Sequence, residues 1–136
     1  MTAGSRRAPA GVERVPDADP SLGTVGYRLM PFLRIAQQLA PHGSPGDALR
    51  RLGYAQCRAA FTVADVQALL GAHPALLDAW LRYSREKQTA DGWYVLPDAE
   101  VGQVSRPSAQ RHFASIEAAV AEFIVRELDH HAGIAG

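Results

Sequence analysis

The chain contains very little cysteine and lysine and no long apolar run, and each shortage excludes a class of protein. Cys57 is the only cysteine among 136 residues, so no internal disulfide can form. No apolar run near the start resembles a secretory signal, and we therefore expect a cytoplasmic protein. The longest apolar runs are far too short to span a bilayer, which predicts that the chain does not insert into a membrane.

Neither sign of charge dominates the composition. Fourteen basic side chains offset fourteen acidic ones, so no overall field favours nucleic acid or an anionic membrane. The two halves differ, because residues 1–58 carry eight arginines and four acids, whereas residues 59–136 carry six bases and ten acids. An acidic second half would attract a basic protein partner and accelerate its association.

Length and composition predict one folded domain with flexible ends. A chain of 136 residues with 47% hydrophobic content supports a single core. Residues 1–22 combine glycine, proline, serine and paired arginines with scattered aliphatic residues, a composition typical of a flexible arm. We expect a single globular domain over residues 23–132 and a frayed end over residues 133–136.

The first ordered segment is expected to be partly extended. Residues 24–29 predict a short extended piece, and Pro31 suits the first position of the helix that follows, where its missing N–H costs nothing. A second, short helix is expected from Ser44, a good N-cap with Pro45 after it, to Gly53, a good stop signal.

Capping residues mark two further helices. Thr62 with Asp65 forms the pattern that starts a helix, and Gly71 predicts its end. The periodicity of residues 54–61, just before it, is too short to decide between helix and irregular structure. Pro74 begins a longer helix with one apolar face, formed by Leu76, Leu77, Trp80, Leu81 and Ser84.

The second half predicts a small antiparallel β-structure. Asp91-Gly92 turns the chain, residues 93–96 have the aromatic and β-branched character of a strand, and residues 101–104 can return beside them after a turn. An isolated hairpin is only marginally stable, so it must pack on the helices. We predict an α+β fold that is predominantly helical, with four or five helices packed against a small antiparallel β-hairpin.

A final helix is expected after Ser115, which suits the N-cap position. Its apolar stripe consists of Ile116, Val120, Phe123, Ile124 and Leu128. Its four acids are expected on the solvated face of the helix, where they carry no chemistry: Glu117, Glu122, Glu127 and Asp129.

The sequence contains no catalytic or metal-binding pattern. The five histidines lack the spacing of metal ligands, so they are expected to be solvated, and we predict no metal site and no cofactor. Cys57 would act as a nucleophile only beside a base in an electropositive setting, and a small buried thiol explains it more simply. We therefore predict that the protein is not an enzyme.

Residues 80–94 are the most informative stretch, because they contain both tryptophans and the only lysine. Trp80 lies on the apolar stripe, whereas Trp93 and Tyr94 should alternate between the two faces of a strand, so one of them points outward. An aromatic ring with a charged rim is typical of a protein interface, and a hairpin that merely caps the core is the alternative. The predicted partner-binding residues are Glu86, Lys87, Asp91, Trp93, Tyr94, Asp98 and Glu100.

A DNA-binding transcriptional regulator is the alternative function. Residues 62–85 contain two predicted helices in a helix-turn-helix-like arrangement, in which the second would read the DNA. Its exposed positions mix Asp78 and Glu86 with Arg82 and Arg85, whereas a recognition helix normally carries a basic surplus. The charge pattern therefore disfavours nucleic acid as the partner.

The succession YSREKQTADGWYV, a short hairpin and FASIEAAVAEFIVREL resembles a pattern of small immunity proteins from bacterial polymorphic toxin systems. The resemblance covers roughly the C-terminal half and rests on the Tyr-Ser-x-x-Lys, Gly-Trp-Tyr and terminal-helix features. It implies a non-enzymatic cytoplasmic inhibitor that binds one cognate toxin, often by occluding its active site. A basic toxin domain, such as a nuclease, would suit the acidic second half.

Overall fold

The computed structural model describes residues 23–38, 45–87 and 92–134. The predicted arm, the predicted N-cap Ser44 and the predicted turn residue Asp91 lie outside them. The helices before the sheet are α1 (Gly23–Leu33), α2 (Ile35–Gln38), α3 (Pro45–Leu52), α4 (Tyr54–Cys57), a 3-10 turn (Arg58–Ala60), α5 (Val63–Ala72) and α6 (Pro74–Glu86). The strands β1 (Trp93–Val95), β2 (Glu100–Gln103) and β3 (Arg106–His112) precede the last helix, α7 (Ile116–Ala132). The fold is α+β and predominantly helical, as predicted, and none of the described helices is long and apolar enough to cross a membrane.

The terminal helix α7 is the element around which the others pack. It contacts α3, α5, α6 and the first two strands. The Ser115 hydroxyl accepts the N–H of Ala118 and caps the helix as predicted. At the other end, Gly133 has a φ of 76° and the N–H of Ile134 donates to the Asp129 carbonyl at 2.9 Å, which closes a Schellman-type turn.

The predicted N-cap of α5 and the predicted start of α6 at Pro74 are confirmed. The Thr62 hydroxyl accepts the N–H of Asp65, and the Asp65 carboxylate accepts the N–H of Thr62 at 2.8 Å. α5 continues one residue past the predicted stop, to Ala72. Trp80 of α6 is fully buried, and its indole N–H donates to the Leu33 carbonyl at 2.8 Å, which ties α6 to the end of α1.

Residues 24–29 are helical rather than extended, which corrects the prediction. α1 runs through Pro31, which is exposed, while Leu29, Phe32 and Leu33 beside it are buried. A proline near the C-terminal end of a helix removes one backbone hydrogen bond. The burial of the flanking apolar side chains outweighs that loss, because each contributes roughly 1.5–3 kcal/mol when fully buried.

The sheet has three antiparallel strands in the order β1-β2-β3, one more than the predicted hairpin. Trp93 pairs with Gln103 across the first ladder, and Glu100 pairs with His112 across the second. The third strand lacks the apolar–polar alternation on which strand prediction depends, so the sequence does not reveal it. Pro107 near its start suits an edge strand, because only part of the N–H groups of such a strand bond to a neighbouring strand.

Candidate functional site

A cleft between the sheet and α7 surrounds the side chain of Trp93. The guanidinium carbon of Arg126, on α7, lies 5.2 Å from the centre of the indole, a cation–π arrangement. Two cavities of about 330 and 160 Å³ border this pair, and together we call them the Trp93 cleft. The larger is lined by Trp93, Gln103, Arg106, Arg126, Asp129, His130 and Ile134, and the smaller by Trp93, Val101, Arg111, Phe113, Glu122 and Arg126.

Arginine dominates the charge of the cleft wall. The Nε of Arg126 donates to Glu122 at 2.7 Å, so this arginine is partly neutralised. Arg106 and Arg111 are exposed and form no ion pair with the described part of the chain. The Arg111 guanidinium lies 4.8 Å from the centre of the Phe113 ring, which keeps it at the wall of the smaller cavity.

A buried network centred on Glu127 supports the cleft from behind. The Glu127 side chain is 0% exposed. Its Oε2 accepts hydrogen bonds from Lys87 Nζ and Tyr83 OH, each at 2.8 Å, and lies 3.1 Å from His131 Nε2. Its Oε1 accepts the backbone N–H of Trp93 at 2.8 Å, and Lys87 also donates to the Trp93 carbonyl at 2.9 Å. Glu127 and Lys87 therefore hold the backbone of Trp93 from both sides.

These contacts fix the charge state of Glu127. Burial alone would raise the pKa of this carboxyl, but hydrogen bonds from His131 and Lys87, the positive charge of Lys87 and the N–H of Trp93 together lower the pKa to about 2. Glu127 is therefore ionised near neutral pH, and its charge is balanced by Lys87, whose side chain is only 8% exposed.

A second buried acid, Asp129, connects α7 to α4 and the turn that follows it. Tyr54 OH donates to its Oδ1 at 2.6 Å, and Arg58 Nε donates to the same oxygen at 2.9 Å. Burial raises the pKa of Tyr54, and the hydrogen bond to Asp129 raises it further, so the phenol stays protonated. Asp129 thus reaches the cleft wall with its charge already paired.

The prediction that Glu127 and Asp129 lie on a solvated face is wrong. Glu127 follows Val120 by seven residues and Phe123 by four, so helical periodicity places it on the buried side of α7. The expectation that the histidines are solvated is also wrong for His131, which is mostly buried against Glu127. Burial of these polar side chains is tolerated because Glu127 and Asp129 accept hydrogen bonds from other side chains of the domain, and His131 lies against the Glu127 carboxylate.

Tyr94 lies on the opposite face of β1 from Trp93, as strand alternation predicts. Its ring covers Gly102 of the neighbouring strand, and its hydroxyl donates to Glu100 at 2.6 Å. That hydrogen bond, followed by burial and by the charges of Glu100 and Asp98, raises the pKa of Tyr94 to about 12. Both aromatic rings are half-buried, so neither is wholly inside or outside.

Asp98, Glu100 and His112 form a charged cluster on this outer face. His112 Nε2 lies 3.3 Å from Glu100 and 3.9 Å from Asp98, and the three are the one group of possible metal ligands within residues 23–38, 45–87 and 92–134. Because Glu100 and His112 are paired in register, a cross-strand contact between their polar side chains explains the cluster without a metal. The predicted absence of a metal site stays a prediction.

The structure separates the predicted partner-binding residues into distinct environments. Trp93 lines the cleft, and Glu86 is exposed near the end of α6. Lys87 is buried against Glu127, which corrects its assignment to a solvated rim, and Asp91 is outside the described residues. The remaining three lie together on the outer face of the hairpin: Tyr94, Asp98 and Glu100.

The helices of the alternative DNA-binding hypothesis are packed into the domain. α6 buries Leu76, Ala79 and Trp80 and contacts α2, α5, α7 and β1. Its exposed residues include both signs of charge, as the sequence indicated. The arrangement adds nothing in favour of DNA binding, which stays a prediction.

Several cleft residues were not predicted from the sequence. Arg106 and Arg111 lie on the unpredicted third strand, so no local pattern could place them beside Trp93. The sequence could have indicated the ion pair of Arg126, because Glu122 precedes it by four residues and residues at that spacing share a helix face. Its contact with Trp93 still depends on how α7 packs against the sheet.

No protein-family model, curated protein or solved structure matches this chain. The geometry of the Trp93 cleft and the sequence resemblance to immunity proteins are therefore the two grounds for a functional proposal.

Proposed function

We propose that this protein is a non-enzymatic inhibitor of the immunity or antitoxin type, which neutralises a cognate bacterial toxin in the cytoplasm by direct binding. The observation that supports the proposal is the Trp93 cleft, in which an indole ring and the Arg126 guanidinium border two cavities. Tryptophan and arginine are enriched among the residues that dominate the energy of protein interfaces, especially in well-packed central pockets.

The cleft is held in place before any partner arrives. The backbone of Trp93 is fixed by Glu127 and Lys87, and the side chain of Arg126 is bonded to Glu122. Side chains that are already ordered lose little entropy on binding, which favours affinity. This rigid support is expected of an interface anchor.

The hydrogen bonding of the two buried acids, Glu127 and Asp129, favours a binding protein over an enzyme. A general acid or base must reach a reacting atom with a free lone pair or proton. Glu127 is inaccessible to solvent and surrounded by internal donors, and Asp129 is bonded to Tyr54 and Arg58. Both carboxylates therefore serve to join helices and strand.

The placement of charge also refines the partner. The sequence predicted a basic toxin domain from its acidic second half, but Glu127 and Asp129 are neutralised in the interior. Glu86 and Asp98 remain exposed and can face a basic region of the toxin. The toxin segment that enters the cleft, by contrast, would meet mainly arginines, so it would differ in charge from that basic region.

A capture experiment followed by a neutralisation assay tests the proposal. Tagged wild-type chain, Trp93→Ala and Tyr27→Ala are incubated with native lysate, and any stoichiometric protein partner is then expressed with each variant in a bacterial host. Tyr27 is 46% exposed on α1 and provides a matched loss of an aromatic ring away from the cleft. Circular dichroism of each variant establishes that it is folded.

We expect the wild type and Tyr27→Ala to bind the partner and to restore growth of cells that express it. Trp93→Ala should weaken binding by more than about fivefold, which corresponds to about 1 kcal/mol. If the folded Trp93→Ala variant bound the partner as tightly as the wild type does, the interface would lie away from Trp93. A partner that is harmless to cells, or recovery of nucleic acid alone, would contradict the inhibitor proposal.

A further inference from the structure

We propose that the Trp93 cleft is a binding site for an acidic peptide segment, whose carboxylates pair with Arg106 and Arg126 while an apolar neighbour packs on the Trp93 indole. The inference rests on the proposed function only for the origin of the segment, which would belong to the toxin. The site itself is argued from the charges and shape of the cleft.

The cleft wall has cationic groups that are not neutralised. Arg106 is exposed and forms no ion pair with the described residues, although it lines the larger cavity. Arg111 is in the same situation at the smaller cavity. By contrast, the acids of the wall are engaged, since Glu122 binds Arg126 and Asp129 binds Arg58 and Tyr54. A ligand therefore meets a net positive surface.

The chemistry of arginine selects a carboxylate. A guanidinium presents several N–H donors in one plane and matches the two oxygens of a carboxylate. Glu122 occupies the Nε of Arg126, so the other N–H groups of that guanidinium are available to a ligand. The half-buried Trp93 indole beside Arg126 offers an apolar surface for the adjoining side chain.

The shape and surroundings of the cleft favour a peptide over a nucleic acid. A cavity of about 330 Å³ accommodates a few side chains rather than a tract of sugar–phosphate backbone. The chain as a whole has no surplus of positive charge. Nucleic-acid binding draws most of its affinity from such a surplus.

Nuclear magnetic resonance of the full chain tests this inference, because the two tryptophans report on different places. Trp80 is fully buried and its indole N–H is bonded to Leu33, so its signal serves as an internal reference. The indole N–H signal of Trp93 reports on the cleft. The probes are a short blocked peptide of Glu and Asp around one Leu, the same peptide with Gln and Asn in place of the acids, and an oligothymidylate.

We expect the acidic peptide to shift the Trp93 signal in a saturable manner and to leave the Trp80 signal in place, whereas the amide peptide should shift neither. Arg106→Gln should lower the affinity for the acidic peptide by about tenfold, because a hydrogen bond to a charged group is lost. Arg82→Gln, an exposed arginine on α6, should not change it. Added salt should weaken the interaction.

Three results would overturn the inference: no saturable shift with the acidic peptide, equal effects of Arg106→Gln and Arg82→Gln, or tighter binding of the oligothymidylate. The two proposals can fail separately. A toxin bound equally by wild type and Arg106→Gln would preserve the inhibitor function and refute the acidic segment. Acidic-peptide binding without any neutralised toxin would preserve the site and refute the function.

Discussion

The ammonium nitrogen of Lys87 lies 2.8 Å from Oε2 of Glu127 in the protein interior, where the two side chains are 8% and 0% exposed. The pair joins the residue after α6 to α7 and also holds the strand that carries Trp93. A buried ion pair gives little net stability compared with an apolar pair of the same shape, but the loss of one partner leaves an uncompensated charge. Its main effect here is to position the cleft.

Removal of one member of this pair should therefore cost more than removal of both charges. We expect Lys87→Met to lower the free energy of unfolding by about 3–5 kcal/mol, because Glu127 is left charged and buried. In the double variant Lys87→Met/Glu127→Gln the loss should be smaller, since the amide oxygen can still accept the N–H of Trp93. Urea unfolding of the wild type, Lys87→Met, Glu127→Gln and the double variant measures the coupling energy between the two side chains.

The surface pair of Arg85 and Glu86 provides the control. Its side chains are 69% and 63% exposed and 3.7 Å apart, so Glu86→Gln should change stability by less than about 0.5 kcal/mol. Additive effects of Lys87→Met and Glu127→Gln would show that the two groups act independently.

Acid should weaken the fold through Glu127. Its pKa in the folded protein, about 2, is below the ordinary 4.5, so the folded state favours the ionised form more than the unfolded state does. The resulting stability, about 3 kcal/mol, is present above pH 4.5 and is lost as the pH falls towards 2. The low pKa of Glu127 comes from hydrogen bonds of His131 and Lys87, the positive charge of Lys87 and the backbone N–H of Trp93, which together outweigh burial.

The free energy of unfolding, measured in urea across that pH range, checks this prediction. Glu127→Gln should show a shallower fall than the wild type, whereas Glu86→Gln, at an exposed acid, should retain the wild-type slope. Equal slopes for Glu127→Gln and the wild type would mean that other carboxyls are responsible for the acid sensitivity.

Local sequence signals predicted the parts of the fold that depend on local interactions. The capping pair of Thr62 and Asp65 and the apolar stripe of α7 set helices that the structure confirms. Glu127 was predicted on the solvated face because of its charge, although its spacing from Val120 and Phe123 places it on the buried face. The deciding partner, Lys87, is forty residues away in sequence, and local periodicity carries no information about such a pairing.

The cleft was less predictable than the fold for the same reason. Trp93 was identified from its residue type, but the larger cavity also needs Arg106 from a strand without apolar alternation and Arg126 from α7. These residues meet only because α7 packs against the sheet. The sequence could therefore indicate an aromatic anchor but not the arginines around it.

The glycines with a left-handed backbone should respond differently to alanine. At Gly92, φ is 84° and a Cβ would lie 2.6 Å from Glu127 Oε1 and 2.9 Å from Lys87 Nζ, so Gly92→Ala should cost more than about 2 kcal/mol through strain and disruption of the ion pair. At Gly133, φ is 76° and a Cβ meets nothing within 4 Å, so Gly133→Ala should cost only about 1 kcal/mol.

Gly71 provides the opposite control for these substitutions. It lies in α5, where an added Cβ would meet nothing within 4 Å, so Gly71→Ala should stabilise the protein by up to about 1 kcal/mol. Thermal or urea unfolding of the three variants ranks them. If Gly92→Ala and Gly133→Ala lowered the free energy of unfolding equally, a clash with Glu127 and Lys87 would not explain the cost at Gly92.

The hydroxyl of Tyr94 should titrate at a value set by Glu100. Its pKa, about 12, exceeds the ordinary 10.0 mainly because the protonated phenol donates a hydrogen bond to the Glu100 carboxylate. Glu100→Gln removes that charge and should lower the pKa of Tyr94 towards 10, whereas Asp98→Asn should lower it less because Asp98 acts only through its charge. Ultraviolet titration of tyrosinate, with Tyr94→Phe subtracted, isolates this group.

A substitution on the neighbouring strand tests the same contact from the other side. A Cβ at Gly102 would lie 2.5 Å from the Tyr94 hydroxyl oxygen, so Gly102→Ala must displace the ring and should break its bond to Glu100. The pKa of Tyr94 should then fall much as it does in Glu100→Gln, and the two changes combined should add little. A Tyr94 pKa that stays near 12 in Gly102→Ala would show that the ring keeps its hydrogen bond without resting on β2, because the alanine would have been accommodated by movement of the strand instead.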